Sequence, residues 1–259
     1  MTNATPVIPV RDFLTDNDPN PIEIVNAESG HPVVFVCEHA GKAIPERLGN
    51  LGIQQEELNT HIGWDIGAEA VTREMATTMG APAIFQRYSR LVIDCNRPPN
   101  AADSIPAISD KTVIPVNANL TAPDRAARTQ AIFDPYQSKV SDYLSSNQRC
   151  LALSIHSFNH TLGGVERPWD IGFLYRKDTT TSKKLAVIIQ DIWPDLSIGM
   201  NQPYQIDDAA DWFVPMQGEA HGIAHSLIEI RNDHIATPDG QARWAKILTT
   251  AISHLLEDL

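Results

Sequence analysis

Leu151-Ala-Leu-Ser-Ile-His156-Ser157-Phe158-Asn159-His160 is an apolar run that ends abruptly in hydroxyl, amide and imidazole groups. A short continuous apolar run is the mark of a parallel strand buried on both faces, and open α/β sheets hold their ligands just beyond the carboxyl ends of such strands. His156 therefore stands where a site belongs. Taken alone, it reads equally well as a histidine satisfied at a strand end. A second stretch repeats the form: Val33-Val-Phe-Val-Cys37-Glu38-His39-Ala40-Gly41 is again an apolar, β-rich run that stops at a histidine and a small-residue turn. Two histidines delivered by two strand ends can converge on one metal ion, because neutral imidazole is the commonest nitrogen ligand for zinc.

Working outward from these two strands, the chain alternates strand and helix. A weak strand signal at Ile22 to Val25 lies in a polar, Pro-rich N-terminal segment that is expected to wrap the surface. After the turn Gly41 to Pro45, Thr60 can cap a helix over about His61 to Met79 that stops at Gly80. In that helix His61 and Asp65 would project from the same side of the first turn. Strands are predicted at Ala83 to Phe85 and at Leu91 to Asn96, the latter stopped by Pro98 and Pro99. Residues 100–123 read as a long irregular loop, followed by an amphipathic helix from Asp124 to Ser145, capped near Thr121 or Asp124, that Pro135 could kink. Beyond His156 come a strand at Ile171 to Tyr175, a Thr- or Ser-capped helix over Thr181 to Ile192, a strand at Ser226 to Asp233 and a last helix over Pro238 to Leu256. The alternation predicts one α/β domain over residues 1–259 with a largely parallel sheet.

Composition limits the partners. The 259 residues carry a formal charge of −12, with 42% hydrophobic and 20% charged residues. That is an ordinary globular balance, but its acidity opposes extended contact with nucleic-acid phosphates or an anionic membrane surface. A small-molecule partner is expected instead. The three cysteines, Cys37, Cys95 and Cys150, are widely spaced and set beside or within apolar runs, so buried free thiols and a reducing compartment are expected. With no membrane-length apolar stretch and no secretion-signal pattern, the expected location is the cytoplasm.

Four predicted strand ends carry polar cargo: His39, Asn96 with Arg97, His156, and Glu229 with Arg231. Glu229 stands among Leu227, Ile228 and Ile230, where an unpaired carboxylate would be costly. It is either a buried ion-pair partner of Arg231 or Arg97, or a general base for water beside a cation. Arg90 and Arg97 bracket an apolar segment in an acidic protein. Their planar guanidinium forks suit an anionic substrate, although either could serve a surface ion pair.

The set His39-Ala-Gly, Tyr88-Ser89-Arg90-Leu-Val-Ile-Asp94-Cys-Asn96-Arg97, Ile155-His156-Ser157-Phe158 and Glu229-Ile-Arg231-Asn-Asp resembles the N-formylglutamate amidohydrolase family over about Val33 to Leu256. More distantly it resembles zinc carboxypeptidases and aspartoacylases. That likeness implies a phosphorylase/hydrolase-like three-layer α/β/α sandwich around a mostly parallel mixed sheet. It also implies a zinc ligand at His156, a water-activating carboxylate at Glu229 and carboxylate binding by Asn96 and Arg97. The distant relatives carry His-x-x-Glu at the first metal turn, whereas Lys42 stands three residues after His39 here. The third ligand must come from elsewhere. Asp65 is the first choice, with His61 and Glu38 behind it, since two histidines and one carboxylate make a usual catalytic zinc set.

Together these readings predict a hydrolase with one Zn2+ on His39, His156 and Asp65, and Glu229 as the catalytic base. Arg90, Asn96, Arg97 and Arg231 would receive the carboxylates of an N-formylated acidic amino acid such as N-formylglutamate. A carboxypeptidase-like or other N-acyl-amino-acid hydrolase, and a metal-free binding protein for acidic amino acids, are the competing readings.

Overall fold

A computed structural model describes residues 13–146, 148–207 and 211–258. Its centre is a seven-stranded mixed sheet made of β1 (Ile22–Val25), β2 (Val33–Cys37), β3 (Ala83–Gln86), β4 (Leu151–Phe158), β5 (Ile171–Leu174), β6 (Ile198–Met200) and β7 (Ala224–Arg231). In space they run β1-β3-β2-β4-β7-β5-β6. Pairings β3/β2, β2/β4, β4/β7 and β5/β6 are parallel, while β1/β3 and β7/β5 are antiparallel.

Every residue of β2 and of β4 is buried, as expected of strands covered on both faces. Alternation along β2 separates two cores. Val33, Phe35 and Cys37 face helices α1 (Ala68–Met79), α4 (Thr179–Ile192) and α5 (Pro238–Leu256). Val34 and Val36 face the opposite layer, which is built from α2 (Ala122–Arg128), α3 (Asp134–Leu144) and the π-turn segment Phe213–Glu219. This is the expected three-layer α/β/α arrangement. Among the described residues no helix is long and apolar enough to cross a membrane.

The helix expected from His61 begins only at Ala68. Gly67 precedes it at φ +81, and a Cβ there would lie 2.2 Å from the Ile235 carbonyl oxygen, so the chain needs glycine to turn into α1 at this point. Residues 61–67 are turns, which leaves Asp65 on a loop. The helix expected from Asp124 starts two residues earlier, at Ala122, and is capped at Thr121 as expected, with Asp124 closing the cap reciprocally. It then widens into π geometry over Thr129–Phe133 just before Pro135, whose missing N–H removes a helical bond. The helix after β5 is capped by Asp178 rather than by Thr or Ser, through its side-chain bond from the Thr181 N–H.

The largest correction concerns Leu91 to Asn96, which is buried but forms no strand. Its carbonyls are satisfied by buried side chains in place of a ladder: Asn117 donates to Leu91 O (2.8 Å), Arg128 to Val92 O (2.9 Å) and Gln137 to Cys95 O (2.5 Å). An apolar run signals burial, and here burial was reached without a sheet. Cys37 and Cys95 are buried free thiols as expected, but Cys150 is exposed.

Candidate active site

Parallel register puts the site's groups side by side. Glu229 of β7 is the Cα partner of His156 on β4, so both side chains leave the sheet on the same face. His39 follows the end of β2, the neighbour of β4 on its other side. Asp65 reaches them from the 61–67 turn, which is tied to these strands at several points. The Asp65 N–H donates to His39 O (3.0 Å), Ser157 N–H to Asp65 Oδ2 (3.2 Å) and Ser157 Oγ to Ile66 O (2.9 Å). Gly41 lets the loop after His39 cross the chain leaving β3, since a Cβ at this position would lie 1.9 Å from the Arg87 carbonyl oxygen.

Three donor atoms converge. His156 Nδ1 lies 2.8 Å from Asp65 Oδ2 and 3.1 Å from His39 Nδ1, and His39 Nδ1 lies 3.3 Å from Asp65 Oδ2. Tetrahedral zinc bonds of about 2.0–2.1 Å put neighbouring ligand atoms roughly 3.3 Å apart. The three residues are all buried and suited to holding one metal ion. The far nitrogen of each ring is also engaged: His39 Nε2 contacts Asp94 Oδ1 at 2.7 Å, and His156 Nε2 contacts Ser154 Oγ at 2.9 Å and Glu38 Oε2 at 3.1 Å. Carboxylates on the outer nitrogens turn the inner lone pairs toward the centre, the usual support of a metal-bound histidine.

The electrostatics agree. Burial and Arg90 push His39 down, but Asp94 and Asp65 outweigh them and its pKa is raised. Burial also opposes charge on His156, and bonds from Asp65 and Glu38 reverse the balance and raise it well above the ordinary value. Asp65, despite the opposing effect of burial, is held well below the carboxylate range by His39 and His156. Two imidazoles drawn toward protonation around one ionised carboxylate mark a point that attracts positive charge.

Glu229 differs from these groups. Burial, with Asp65 adding to it, pushes its carboxyl up to about 7 against the pull of His156, Arg90 and His39. Its buried Oε2 has no hydrogen-bond partner among the described residues. A buried orphan acceptor is costly, so an oxygen kept in that state next to the donor cluster is suited to a group that arrives with the substrate.

A cavity of about 270 Å³ is lined by His39, Asp65, His156 and Glu229 together with Arg90, Asn96, Arg97 and Tyr204. Gly172, the other partner of Glu229, allows the 201–203 backbone to close in, because a Cβ there would meet the Gln202 carbonyl oxygen at 1.8 Å. A second cavity of about 360 Å³ shares Arg90, Asp94, Arg97 and Tyr204 with the first.

The structure thus brings together seven of the eight anticipated residues. Arg231 stays away: it pairs with Asp233 (2.8 Å) and Asp170 (3.5 Å) and lines neither cavity. As the last residue of β7, two beyond Glu229, it follows the strand out of the site. The reserve ligands also lie elsewhere. Glu38 stands behind His156, and His61, on the turn rather than a helix, lines only the second cavity. Asn96 spends its side chain on the loop opposite, donating to Asp211 Oδ2 (2.8 Å) and accepting from Phe213 N–H (2.8 Å).

Asp94, Ser154 and Asp211 were not anticipated in the site. Ser154 could have been found two residues before His156 on the same strand face. Asp94 carries a weaker signal, an acidic residue four after Arg90 inside an apolar run. Asp211, which burial pushes up to about 7, has no local signal at all.

The N-formylglutamate amidohydrolase family model matches residues 31–236. No curated protein matches the chain. The crystal structure of gene product Atu2144 from Agrobacterium tumefaciens superposes with a TM-score of 0.90 at 33% identity, covering 95% of this chain and 98% of that one. An N-formylglutamate amidohydrolase from Ralstonia eutropha JMP134 superposes with a TM-score of 0.62 at 20% identity, covering 92% and 98%. A bacteriophage poly-gamma-glutamate hydrolase shares the fold at a TM-score of 0.50 and 11% identity, covering 98% and 100%.

Proposed function

The chain belongs to the N-formylglutamate amidohydrolase family, and from that premise we propose that this hydrolase is metal-dependent and removes the formyl group from an N-formylated acidic amino acid, N-formylglutamate being the simplest. The observation that carries this reading is the convergence of His39 Nδ1, His156 Nδ1 and Asp65 Oδ2 beside Glu229, whose buried Oε2 has no hydrogen-bond partner among the described residues. Two histidines and one carboxylate fit Zn2+. Held by those three atoms, such an ion would supply Lewis acidity toward the scissile carbonyl and ease the deprotonation of water.

The remaining chemistry belongs to the chain's own residues. Glu229 takes a proton from the attacking water at Oε2 and returns it to the departing nitrogen, so that the C–N bond breaks to give formate and the free amino acid. Burial keeps its affinity for the proton high enough for both transfers. Arg97, on the cavity wall, receives a substrate carboxylate with its planar fork, and Asn96 ties the facing loop, at Asp211 and Phe213, to the cavity. The partner is therefore a small anionic molecule.

The test is formate release from N-formyl-L-glutamate by protein stripped with a chelator, verified metal-free, and then reloaded with zinc. Activity lost on stripping and regained on loading is expected. Full activity in the verified apoprotein would refute metal dependence. Hydrolysis by the loaded protein of other N-acyl amino acids but not of N-formylglutamate would refute the substrate.

A further inference from the structure

We propose that Arg90 is a positioning residue of the metal centre rather than a reader of the substrate carboxylate, an inference that rests on the metal reading above. Both terminal nitrogens of its guanidinium are turned to protein carboxylates: one lies 3.2 Å from Asp65 Oδ1 and the other 2.7 Å from Asp94 Oδ2. The second oxygen of each carboxylate meets His39, Asp94 Oδ1 at Nε2 (2.7 Å) and Asp65 Oδ2 at Nδ1 (3.3 Å). Arg90, Asp65, His39 and Asp94 thus form a closed ring. In it, each carboxylate gives one oxygen to the guanidinium and turns the other toward His39: Asp94 Oδ1 accepts from Nε2, and Asp65 Oδ2 stands beside Nδ1 across the proposed metal position.

The ring has two consequences for a metal. With Oδ1 bonded to Arg90, Asp65 turns Oδ2 to the centre and would hold a metal ion through that oxygen. With Oδ1 of Asp94 receiving the Nε2 proton, His39 is fixed as the tautomer whose Nδ1 lone pair faces the centre. Arg90 clamps both carboxylates at once, a task for a planar two-pronged cation that a point charge cannot reproduce. A substrate carboxylate approaching Arg90 would have to compete with Asp65 and Asp94 and would be repelled by both.

The experiment measures zinc affinity of the full chain by competition with a chromogenic chelator. In parallel, kcat/KM is measured for N-formylglutamate and N-formylglutamine at saturating zinc. In Arg90→Gln the zinc dissociation constant should rise about 10–100-fold, the usual effect of losing an outer partner of a metal ligand. Both substrates should lose kcat/KM by the same factor. Arg90→Lys, which keeps the charge but cannot span the two carboxylates, should remain at least about fivefold weaker for zinc than wild type. It also decides the matter by the same two measurements if the glutamine variant does not fold. Wild-type zinc affinity in either folded variant, or a loss confined to N-formylglutamate, would overturn the proposal. Wild-type protein that takes up no zinc would overturn the metal reading itself, and this inference with it.

Discussion

His39 and His156 present the same nitrogen to the same point, yet they are held there by different means. His156 is the sixth residue of the eight-residue strand β4, and its outer nitrogen rests on Ser154 of that strand and on Glu38 at the end of the adjoining β2. Ser154 in turn donates to Glu38 Oε2 at 2.6 Å. These outer supports come from two adjoining strands of the sheet and the residue that follows one of them. His39 leans on Asp94, 55 residues further on in a segment without ladder bonds, and through Asp94 on Arg90. One half of the centre is thus as stiff as the sheet. The other depends on a coil whose carbonyls are held by Asn117, Arg128 and Gln137. A site of this construction can be damaged on one side from far away and hardly at all on the other.

The largest effects should erase the comparison altogether. His39→Ala and His156→Ala should each lose stoichiometric zinc and all measurable hydrolysis with little change in far-UV circular dichroism, since neither ring is part of the apolar core. Stoichiometric zinc in either variant would remove that histidine from the ligand set. Glu229→Gln should instead keep its zinc while kcat falls about 10²–10⁴-fold, the usual worth of a positioned proton-transfer group. As a base, Glu229 must be ionised, so activity is present above its pKa and is lost as pH falls through it. Burial places that pKa at about 7 before the pull of a bound cation, which lowers it. The acidic limb of the kcat/KM profile should therefore lie below pH 7 in wild type and be absent from any residual activity of the glutamine variant.

Next in size is a remote lesion on the coil side. Arg128 is 1% exposed and donates to Val92 O and Asn117 Oδ1. Arg128→Met should cost about 2–4 kcal/mol in denaturant unfolding, because two buried acceptors lose their donor. It should also weaken zinc binding by loosening the segment that carries Asp94. Ser154→Ala, on the register side and closer to the metal, should weaken zinc less. If Ser154→Ala proves the more harmful for zinc affinity, the contrast between a rigid and a loop-borne half is wrong.

The same contrast explains what could be read from the sequence. The sheet half was legible: apolar runs ending at His39 and His156, and a carboxylate inside the apolar run of β7, are patterns that local chemistry imposes. Asp65 does stand beside both histidines, but it reaches them from a loop, because the helical turn expected to carry it with His61 does not form. The coil half was only partly legible. Leu91 to Cys95 has the composition of a strand, and the side chains that satisfy its carbonyls lie 26 to 42 residues away in sequence, where no periodicity reports them. Arg90 and Arg231 were both read as carboxylate binders because a guanidinium suits any carboxylate, including those of its own chain. Which carboxylate an arginine meets is decided by tertiary structure.

Between the outer carboxylates themselves the difference should be smaller. Asp94→Asn gives up a charge shared by His39 and Arg90 and should raise the zinc dissociation constant about 10–100-fold. Glu38→Gln keeps an amide oxygen able to accept from Ser154 and His156, and should fall at or below the lower end of that range. Equal losses would mean that the charge of Glu38, and not its place in the register, is what supports His156.

The smallest effect is expected at Arg231, where the sequence suggested substrate binding and the fold supplies something else. Its Nε bonds to Asp233, two residues ahead at the start of a short 3-10 turn, and one terminal nitrogen lies 3.5 Å from Asp170. Asp170 is not dependent on it, because His234 Nε2 contacts the same oxygen at 2.7 Å. Partly exposed ion pairs of this kind contribute about 0–1 kcal/mol, since the Coulomb gain is offset by solvation and by the ordering of a long side chain. Arg231→Met keeps most of the apolar stem, so it should lower stability by no more than about 1 kcal/mol and leave kcat/KM for N-formylglutamate within about twofold of wild type. If KM rises tenfold with kcat unchanged, Arg231 does reach the substrate in the working enzyme. The boundary drawn at the end of β7 between a residue of the site and a residue of its frame would then lie two positions too early.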